Sequence, residues 1–313
     1  MIKQFLKILI LPFIILSILS ACATKIKLEV EKLPDLNTSG IRRIAIMPFE
    51  TASNNVDYRR MAQYATGVVN KKILETDYFT LVDPSIIQNL KNNNQSIENY
   101  ADAVFYGRIT SLNTISRSNT HRYRDREGKL KKYTTYYREA DIEFNYYLVR
   151  AIDGSKIGPV YFKGRKTSSG DSWYSIKNLN ELLRSVIDDQ LRNLLQNLAP
   201  YKITENRRLA KEKSKEKVLL NEMKEALAFV KTGNNRTALN AYLDIYSRNK
   251  NMAAAENASI LYEALGDAPL AAEFLQRVYE ETGNPKAEEL LARLEKILSD
   301  KATLISDYYD GSN

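Results

Sequence analysis

The sequence predicts an α/β (α+β) sandwich with a mixed sheet and a long β-hairpin arm, followed by an all-α, repeat-like helical domain. Three observations predict this fold class. Strand-like and helix-like apolar spacings alternate over 41–109, which favours parallel strands joined by helices. A strand that alternates cleanly over 141–150 precedes an Asp-Gly turn and a further strand, which favours antiparallel pairing. Beyond residue 217 the chain becomes Ala-rich with helical periodicity.

Composition limits the chemistry that the chain can perform. Its 313 residues are 44% hydrophobic and 27% charged, as in a folded protein of about two domains. The single Cys and the single His exclude an intramolecular disulfide and any metal site built from several Cys or His residues. No set of residues has the spacing that nucleophilic or metal catalysis requires. We therefore expect a protein that is not an enzyme and that has no cofactor.

The first 21 residues have the pattern of an export signal. Lys3 and Lys7 precede a long apolar run, which ends in the small residues Ser20 and Ala21. An N-terminal transmembrane anchor is the alternative, but the apolar run is shorter than the ~20 residues that a span needs. Residues 1–21 are therefore predicted to be a signal peptide.

The end of this signal resembles the bacterial lipobox. The tetrapeptide Leu19-Ser20-Ala21-Cys22 carries the resemblance. It implies that the chain is cut before Cys22 and that this residue is acylated, so the only Cys becomes a membrane anchor. Because no acidic residue follows Cys22 at Ala23 or Thr24, we expect the outer membrane, with the protein facing the periplasm.

The α/β domain is predicted over 41–201, after an irregular tether over 22–40. Its strands are expected at 41–49, 79–82, 101–109, 141–150 and 160–167. Its helices are expected at 56–75, 84–90 and 178–198. Asp83 followed by Pro84 predicts the start of the short second helix, because Asp caps a helix and Pro fits its first turn.

Several segments of this domain together resemble the CsgG/LpoB-type periplasmic lipoprotein domain. They occur in the family's order: Ile44-Ala-Ile-Met-Pro-Phe49, Tyr78-Phe-Thr-Leu-Val-Asp83, Ala101-Asp-Ala-Val-Phe-Tyr-Gly107-Arg-Ile-Thr110, Leu148-Val-Arg-Ala-Ile-Asp-Gly-Ser-Lys156 and Leu198-Ala-Pro-Tyr201. The family includes the curli secretion pore and activators of peptidoglycan synthases. The resemblance therefore implies a fold and a compartment more directly than an activity.

The positive charge of the chain is concentrated in the arm. The net charge of +8 becomes +6 when residues 1–21, with two Lys and no acid, are removed. Residues 117–138 contain eight basic and two acidic residues, so this segment carries the whole excess. The residues predicted to bind an anionic partner are Arg122, Arg124, Arg126, Lys129, Lys131, Lys132, Tyr133 and Tyr136.

Four interpretations of the arm remain open. Anionic lipid headgroups, an acidic glycan and an acidic protein patch each suit an exported protein. Alternatively the arm binds nothing, and its charges only keep strand edges from aggregating. Nucleic acid is not expected outside the cytoplasm. Glu139, Asp141 and Glu143 share one face of a strand and are expected to pair with the arm's Arg and Lys residues.

The C-terminal third is predicted to be helical. Residues 202–217 are highly charged and are expected to form a solvated linker helix. A period of 33 residues relates Gly233 to Gly266 and Ala238 to Ala271, and residues 218–300 resemble tetratricopeptide repeats. This helical domain would hold a protein partner on a concave face or serve as a plain structural support. Residues 301–313 are predicted to be a tail.

Together these features predict a lipid-anchored periplasmic protein that acts as a binding and assembly factor for a cell-envelope machine. The alternative is a subunit of a CsgG-like oligomeric secretion channel in the outer membrane. Lipid-facing strands need alternating apolar residues, whereas Arg122, Arg124 and Arg126 share one parity of the arm. A homo-oligomer remains open under both hypotheses.

Overall fold

The computed structural model describes residues 24–309, so the predicted signal peptide and the predicted lipidation site at Cys22 lie outside the described residues. The strands are β1 (Lys25–Lys32), β2 (Arg43–Ile46), β3 (Glu50–Thr51), β4 (Thr80–Val82), β5 (Ala103–Arg124), β6 (Leu130–Arg150), β7 (Lys156–Gly170) and β8 (Tyr201–Arg208). The helices are α1 (Val56–Leu74), α2 (Pro84–Asn92), α3 (Leu179–Gln190), α4 (Leu194–Leu198), α5 (Lys217–Lys231), α6 (Asn235–Asn249), α7 (Met252–Ala264), α8 (Ala268–Thr282) and α9 (Pro285–Thr303). A π-helical segment, Leu304–Tyr309, follows α9.

The chain divides into two compact units. An α/β unit comprises Leu33–Tyr201 and residues 306–309. Among the described residues, a helical unit comprises 24–32 together with Lys202–Ile305. The α/β unit is thus inserted, in sequence, between the first strand of the helical unit and the rest of that unit.

The α/β unit is built on the mixed sheet that the sequence predicts. The strand order is β4-β2-β5-β6-β7, and the short β3 pairs with β5. β2 runs parallel to β4 and β5, whereas β5, β6 and β7 are successively antiparallel. The fold class is therefore confirmed, including the long hairpin formed by β5 and β6.

Helices cover the sheet on two faces. On one face α1 and α3 contribute the apolar stripe that the sequence predicts, including Met61, Val69 and Ile187, and they pack on Phe105 and Phe144. A smaller cluster on the other face joins Ile87 of α2 to Ala45 and Val104. The second face of β6 and β7 instead carries charged and polar side chains.

The predicted helix over 178–198 is two helices. Asn178 and Glu181 form a capping box at the start of α3, where each side chain accepts a hydrogen bond from the other residue's backbone N–H. The backbone leaves the helical path after Gln190 and resumes it at Leu194. Leu191, Leu194 and Leu198 stay buried, so the apolar spacing alone did not reveal the break.

Two segments expected to be a tether and a linker helix are strands. β1 lies within the predicted tether, and β8 opens the predicted linker helix 202–217. They pair with each other in a two-stranded sheet. In β8 exposed residues alternate with half-buried ones, and both sides carry charges, so the segment has no apolar alternation that indicates a strand. The partner strand lies too far away in sequence for local patterning to reveal it. Ile26 and Leu28 of β1 are buried in the helical core.

In the helical unit, corresponding residues of successive helix pairs recur at the predicted offset of 33 residues. Gly233 follows α5 and Gly266 follows α7. Both glycines adopt positive φ, 79° and 86°, and this backbone conformation ends α5 and α7. Ala238 of α6 and Ala271 of α8 are both fully buried. No helix in residues 24–309 has both the length and the apolar character needed to cross a membrane.

Candidate functional site

The arm is the end of the β5–β6 hairpin, where no third strand accompanies it. β7 ends at Gly170, opposite Tyr136, whereas β5 and β6 stay paired from Ser118–Tyr136 to Arg124–Leu130. At about 3.4 Å per residue, this two-stranded part is ~20 Å long. We use the name arm for residues 118–136. It presents both faces to solvent, since every residue of β5 from Asn113 onward is exposed.

The tip of the arm is a structured turn that neutralises two of the predicted cations. The Asp125 carboxylate accepts hydrogen bonds from the backbone N–H groups of Glu127 and Lys129 at 3.0 and 2.9 Å. Its other oxygen lies 3.0 Å from the Lys131 ammonium. The hydrogen bond from Lys131 and those from the turn lower the pKa of Asp125. Lys129 in turn lies 3.2 Å from the carboxylate of Glu127.

The remaining four cations have no acidic partner within residues 24–309. Arg122 lies directly across from Lys132, and Arg124 lies across from Leu130 on the same face. Arg124 donates one hydrogen bond, of 2.9 Å, to the carbonyl of Gly128. Arg126 lies in the turn and, like the other three, is exposed. These four residues, Arg122, Arg124, Arg126 and Lys132, are the unneutralised part of the predicted site.

The opposite face of the arm is aromatic. The ring of Tyr133 stacks on His121 with centroids 4.9 Å apart, and Tyr123 meets Tyr133 edge-on at 6.0 Å. Because cross-strand aromatic pairs stabilise an antiparallel ribbon, this ladder holds the strands together without a core. Tyr133 thus lies on the face opposite Arg122 and Lys132, and its ring stabilises the hairpin; a role of Tyr133 in binding stays a prediction.

Tyr136 lies at the base of the arm and is half-buried. Its ring meets Trp173 at 4.9 Å, and the Arg138 guanidinium lies 4.9 Å from the same indole. Arg138 also donates hydrogen bonds to the carbonyl oxygens of Trp173, Ile176 and Lys177 at 3.3–3.5 Å. Sequence reasoning counted Arg138 only as an arm charge and missed this anchoring role. The sequence signal for this role was Trp173, which follows the end of β7 at Gly170.

The acidic residues of β6 do not pair with the arm, contrary to the expectation. Glu143 pairs with Lys163 at 2.6 Å, and Asp141 pairs with Arg165 at 2.5 Å. Arg165 also lies 3.5 Å from Glu139. The register sets these partners, because β7 places Arg165 across from Asp141 and Lys163 across from Glu143, while β5 presents Ser111, Asn113 and Ile115 to the three acids. The arm's cations are consequently left without these carboxylates.

The comparisons with known proteins identify similar structures at low overall similarity. The sequence matches no protein-family model and no curated protein. Similar solved structures include the PelC dodecamer from Paraburkholderia phytofirmans, at 12% identity and TM-score 0.27, over 53% of this chain and 96% of that one. Lipoprotein GNA1162 from Neisseria meningitidis is similar at 16% identity and TM-score 0.26, over 49% of this chain and 99% of that one. Rare lipoprotein B from Shewanella oneidensis is similar at 12% identity and TM-score 0.22, over 49% and 93%. At these scores the similarities carry no argument about the function of this chain.

Proposed function

We propose that this chain is a lipid-anchored periplasmic protein that acts as a non-catalytic binding and assembly factor at the cell envelope. Cys22 carries the acyl anchor, and the outer membrane holds it. The arm binds an anionic envelope surface, either headgroup phosphates or an acidic glycan. The helical unit binds a protein component of the same envelope machine. The CsgG/LpoB-type resemblance motivates this compartment and remains a prediction.

One observation carries the proposal: the arm exposes four cations that have no acidic partner in the described part of the chain. Arg122, Arg124, Arg126 and Lys132 lie on a thin ribbon that adds nothing to the hydrophobic core. Placing like charges across from each other, as for Arg122 and Lys132, is unfavourable in the free ribbon. An anionic surface removes that repulsion, and each cation near such a surface contributes ~1 kcal/mol.

The position of the single His supports a binding role rather than catalysis. His121 lies on the exposed arm, stacked on Tyr133, and a general base needs a rigid surrounding to hold its geometry. The channel hypothesis has weaker support from the same arm. A lipid-facing strand would bury Arg122, Arg124 and Lys132 in hydrocarbon, at ~2–4 kcal/mol for each cation at the midplane.

Vesicle and glycan binding by paired variants tests the proposal. The full chain with Cys22→Ser, which removes the anchor, is added at 0.15 M salt to phosphatidylglycerol–phosphatidylethanolamine vesicles and to immobilised polygalacturonate. Replacing Arg122 and Lys132 by Gln should weaken binding about 30-fold, from ~1 kcal/mol per cation. The matched control replaces Lys129 and Lys131, which already have acidic partners, and should weaken binding only a few-fold.

Two outcomes would count against the proposal. In the first, the chain binds neither probe. In the second, both double variants lose binding equally. The second result would mean that net charge alone, and not the four unpartnered cations, determines the interaction.

A further inference from the structure

The helical unit contains a cleft of about 270 Å³ beside the first described residue. Its walls are the segment after β8, including Leu209, one face of α5 and the ring of Tyr242 from α6. Thr24 lines its mouth. The volume lies near the lower end of the range for small-molecule pockets, so the cleft can take part of an extended ligand.

The floor of the cleft is apolar. α5 contributes Leu220, Met223 and Leu227, whose spacings of three and four residues place them on one face of the helix. Tyr242 closes the floor and is only 1% exposed. If an aliphatic chain lay along this face of α5, several of its methylene groups would contact these apolar side chains.

The rim of the cleft is cationic. Lys211, Lys224 and Lys231 line it, all three are exposed, and none forms an ion pair within the described part of the chain. The one acidic lining residue, Glu212, is already engaged by the backbone N–H of Ser214 at 2.5 Å and by the side chain of Asn251. The apolar floor and the ammonium groups at the rim together are complementary to an amphiphile that has an acyl chain and an anionic head.

The wall formed by residues 209–212 is held in place. The side chain of Asn257, 1% exposed, accepts from the backbone N–H of Ala210 at 2.6 Å and donates to its carbonyl at 3.1 Å. The cleft therefore exists as a formed site and not as a gap beside a loose loop.

The mouth of the cleft is close to the predicted anchor along the chain. The backbone N–H of Leu209 donates to the carbonyl of Thr24 at 3.0 Å, which fixes Thr24 against the wall. Cys22 precedes Thr24 by two residues, so their Cα atoms are at most about 7 Å apart. An acylated Cys22 would consequently hold this mouth at the membrane surface.

We propose that the cleft binds one anionic phospholipid from the leaflet that holds the anchor. An acyl chain lies against Leu220, Met223 and Leu227, and the phosphate lies among the three rim lysines. This inference rests on the proposed lipid anchor at Cys22. It assigns to the helical unit a lipid site that is separate from the arm.

Fluorescence quenching by brominated lipid tests the site in the full lipidated chain. Trp173→Phe removes the only native Trp, and Leu227→Trp then places a reporter in the cleft. The matched reporter is Phe229→Trp, two residues along α5 at a side chain that is 38% exposed and does not line the cleft. In vesicles whose phosphatidylglycerol carries brominated acyl chains, emission at position 227 should fall at least twofold and emission at 229 should change little. Moving the bromine to phosphatidylethanolamine should abolish the quenching at 227.

A second measurement avoids altering the floor of the cleft. Native mass spectrometry of the detergent-extracted wild-type chain should show one phosphatidylglycerol in addition to the covalent anchor. Replacing Lys224 and Lys231 by Gln should weaken this binding about 30-fold. The same change at Lys213 and Lys215, exposed lysines outside the cleft, should leave it within about threefold.

Equal quenching at 227 and 229, no quenching at 227, or equal loss with both lysine pairs would overturn the cleft proposal. The mass of the N-terminal peptide from the same sample reports the anchor separately. A lipidated chain without cleft binding would refute this site alone, whereas an unmodified Cys22 would refute both the anchor and the inference built on it.

Discussion

Close backbone contact at Gly107 illustrates how single residues set the packing of the α/β unit. The ring of Phe49 lies over Gly107, and a Cβ added there would come within 2.4 Å of three ring atoms. The same ring packs against Phe105 and Phe144. Gly107 lies between the buried residues Phe105 and Ile109 on one side of β5, because Phe49 occupies the space that a side chain would need.

Two Gly→Ala substitutions should therefore have opposite effects. Gly107→Ala should lower the free energy of unfolding by about 1–3 kcal/mol, because the buried ring must move. Gly67→Ala, in α1 with open space around the new Cβ, should raise it by ~0.4–1 kcal/mol. Urea unfolding followed by the fluorescence of Trp173, within the α/β unit, measures both. A stable Gly107→Ala variant would show that the Phe49 contact is not tight.

Asp102 is a second residue whose role depends on its partners. Its carboxylate accepts hydrogen bonds from the backbone N–H groups of Arg42 and Arg43 at 2.8 and 2.6 Å and from the Arg43 guanidinium at 2.8 and 3.1 Å. Burial on its own would raise the pKa of Asp102, but these bonds outweigh it and lower the pKa. The carboxylate thus ties β2 to the start of β5.

A pH dependence follows from the lowered pKa. Because the folded-state pKa of Asp102 lies below the unfolded value of about 3.9, ionised Asp102 stabilises the fold at neutral pH. This stabilisation is lost as the pH falls through the folded-state pKa. Asp102→Asn should cost about 1.5–3 kcal/mol at pH 7, and the difference from wild type should shrink below pH 4. A difference that stays constant from pH 7 to pH 3 would contradict the assignment.

At the scale of elements, local patterning predicted the α/β unit well. α1 and α2 begin at the residues predicted from their caps and apolar spacing. The core strands β2 and β4 lie within their predicted ranges, and β5 begins within its predicted range. β5 and β6 extend beyond the predicted strand ranges into the predicted hairpin arm, whose polar residues carry no burial pattern from which the strand ends could be located. Hydrogen bonds across the hairpin, not burial, define that part of each strand.

The predictions failed for β1 and β8, whose pairing joins segments separated by the whole α/β unit. Each has a short, charged sequence that taken alone is typical of a tether or a solvated helix. In the structure Ile26 and Leu28 pack into the helical core, and Lys32 pairs with Glu205 at 2.9 Å. β1 therefore belongs to the fold of the helical unit.

Truncating one buried side chain of β1 distinguishes a strand from a tether. Leu28→Ala should destabilise the helical unit by ~2–5 kcal/mol, as for other buried Leu residues. The exposed neighbouring change Lys27→Ala should stay within ~0.5 kcal/mol. Amide hydrogen exchange of α5–α9 measures both effects. Unchanged hydrogen-exchange protection of α5–α9 in Leu28→Ala would indicate that β1 is a tether and not part of the helical core.

At the scale of the whole molecule, the chain places its units in an order that the sequence did not suggest. The sequence predicted an anchor, a flexible tether, the α/β domain and then the helices. The structure assigns Lys25–Lys32 to the helical unit, so under the proposed anchor the helical unit, not the α/β unit, is nearest to Cys22 along the chain. Within the predicted tether of 22–40, Lys25–Lys32 is a strand, and residues 33–40 form neither helix nor strand.

The candidate-site residues were partly predictable because local sequence patterns, which predicted much of the fold, also predict where these residues lie. Charge counting located the arm, and the period-two pattern placed Arg122 and Arg124 on one face. Which cations are neutralised depends on the turn geometry around Asp125 and on the register of β7, and neither is encoded in local composition. The distinction between paired and unpaired cations therefore required the structure.

Binding by a chain that lacks the arm shows directly whether the arm is the site for an anionic surface. In the full chain with Cys22→Ser, residues 119–135 are replaced by Asn-Gly, a two-residue turn that joins the opposed Ser118 and Tyr136. Binding to polygalacturonate should fall to background, and binding to phosphatidylglycerol vesicles should fall to what the cleft of the helical unit alone supports. The α/β unit should keep its unfolding free energy within ~1 kcal/mol, because the arm buries no core residue. Undiminished binding by this folded variant would contradict the assignment of the anionic surface to the arm.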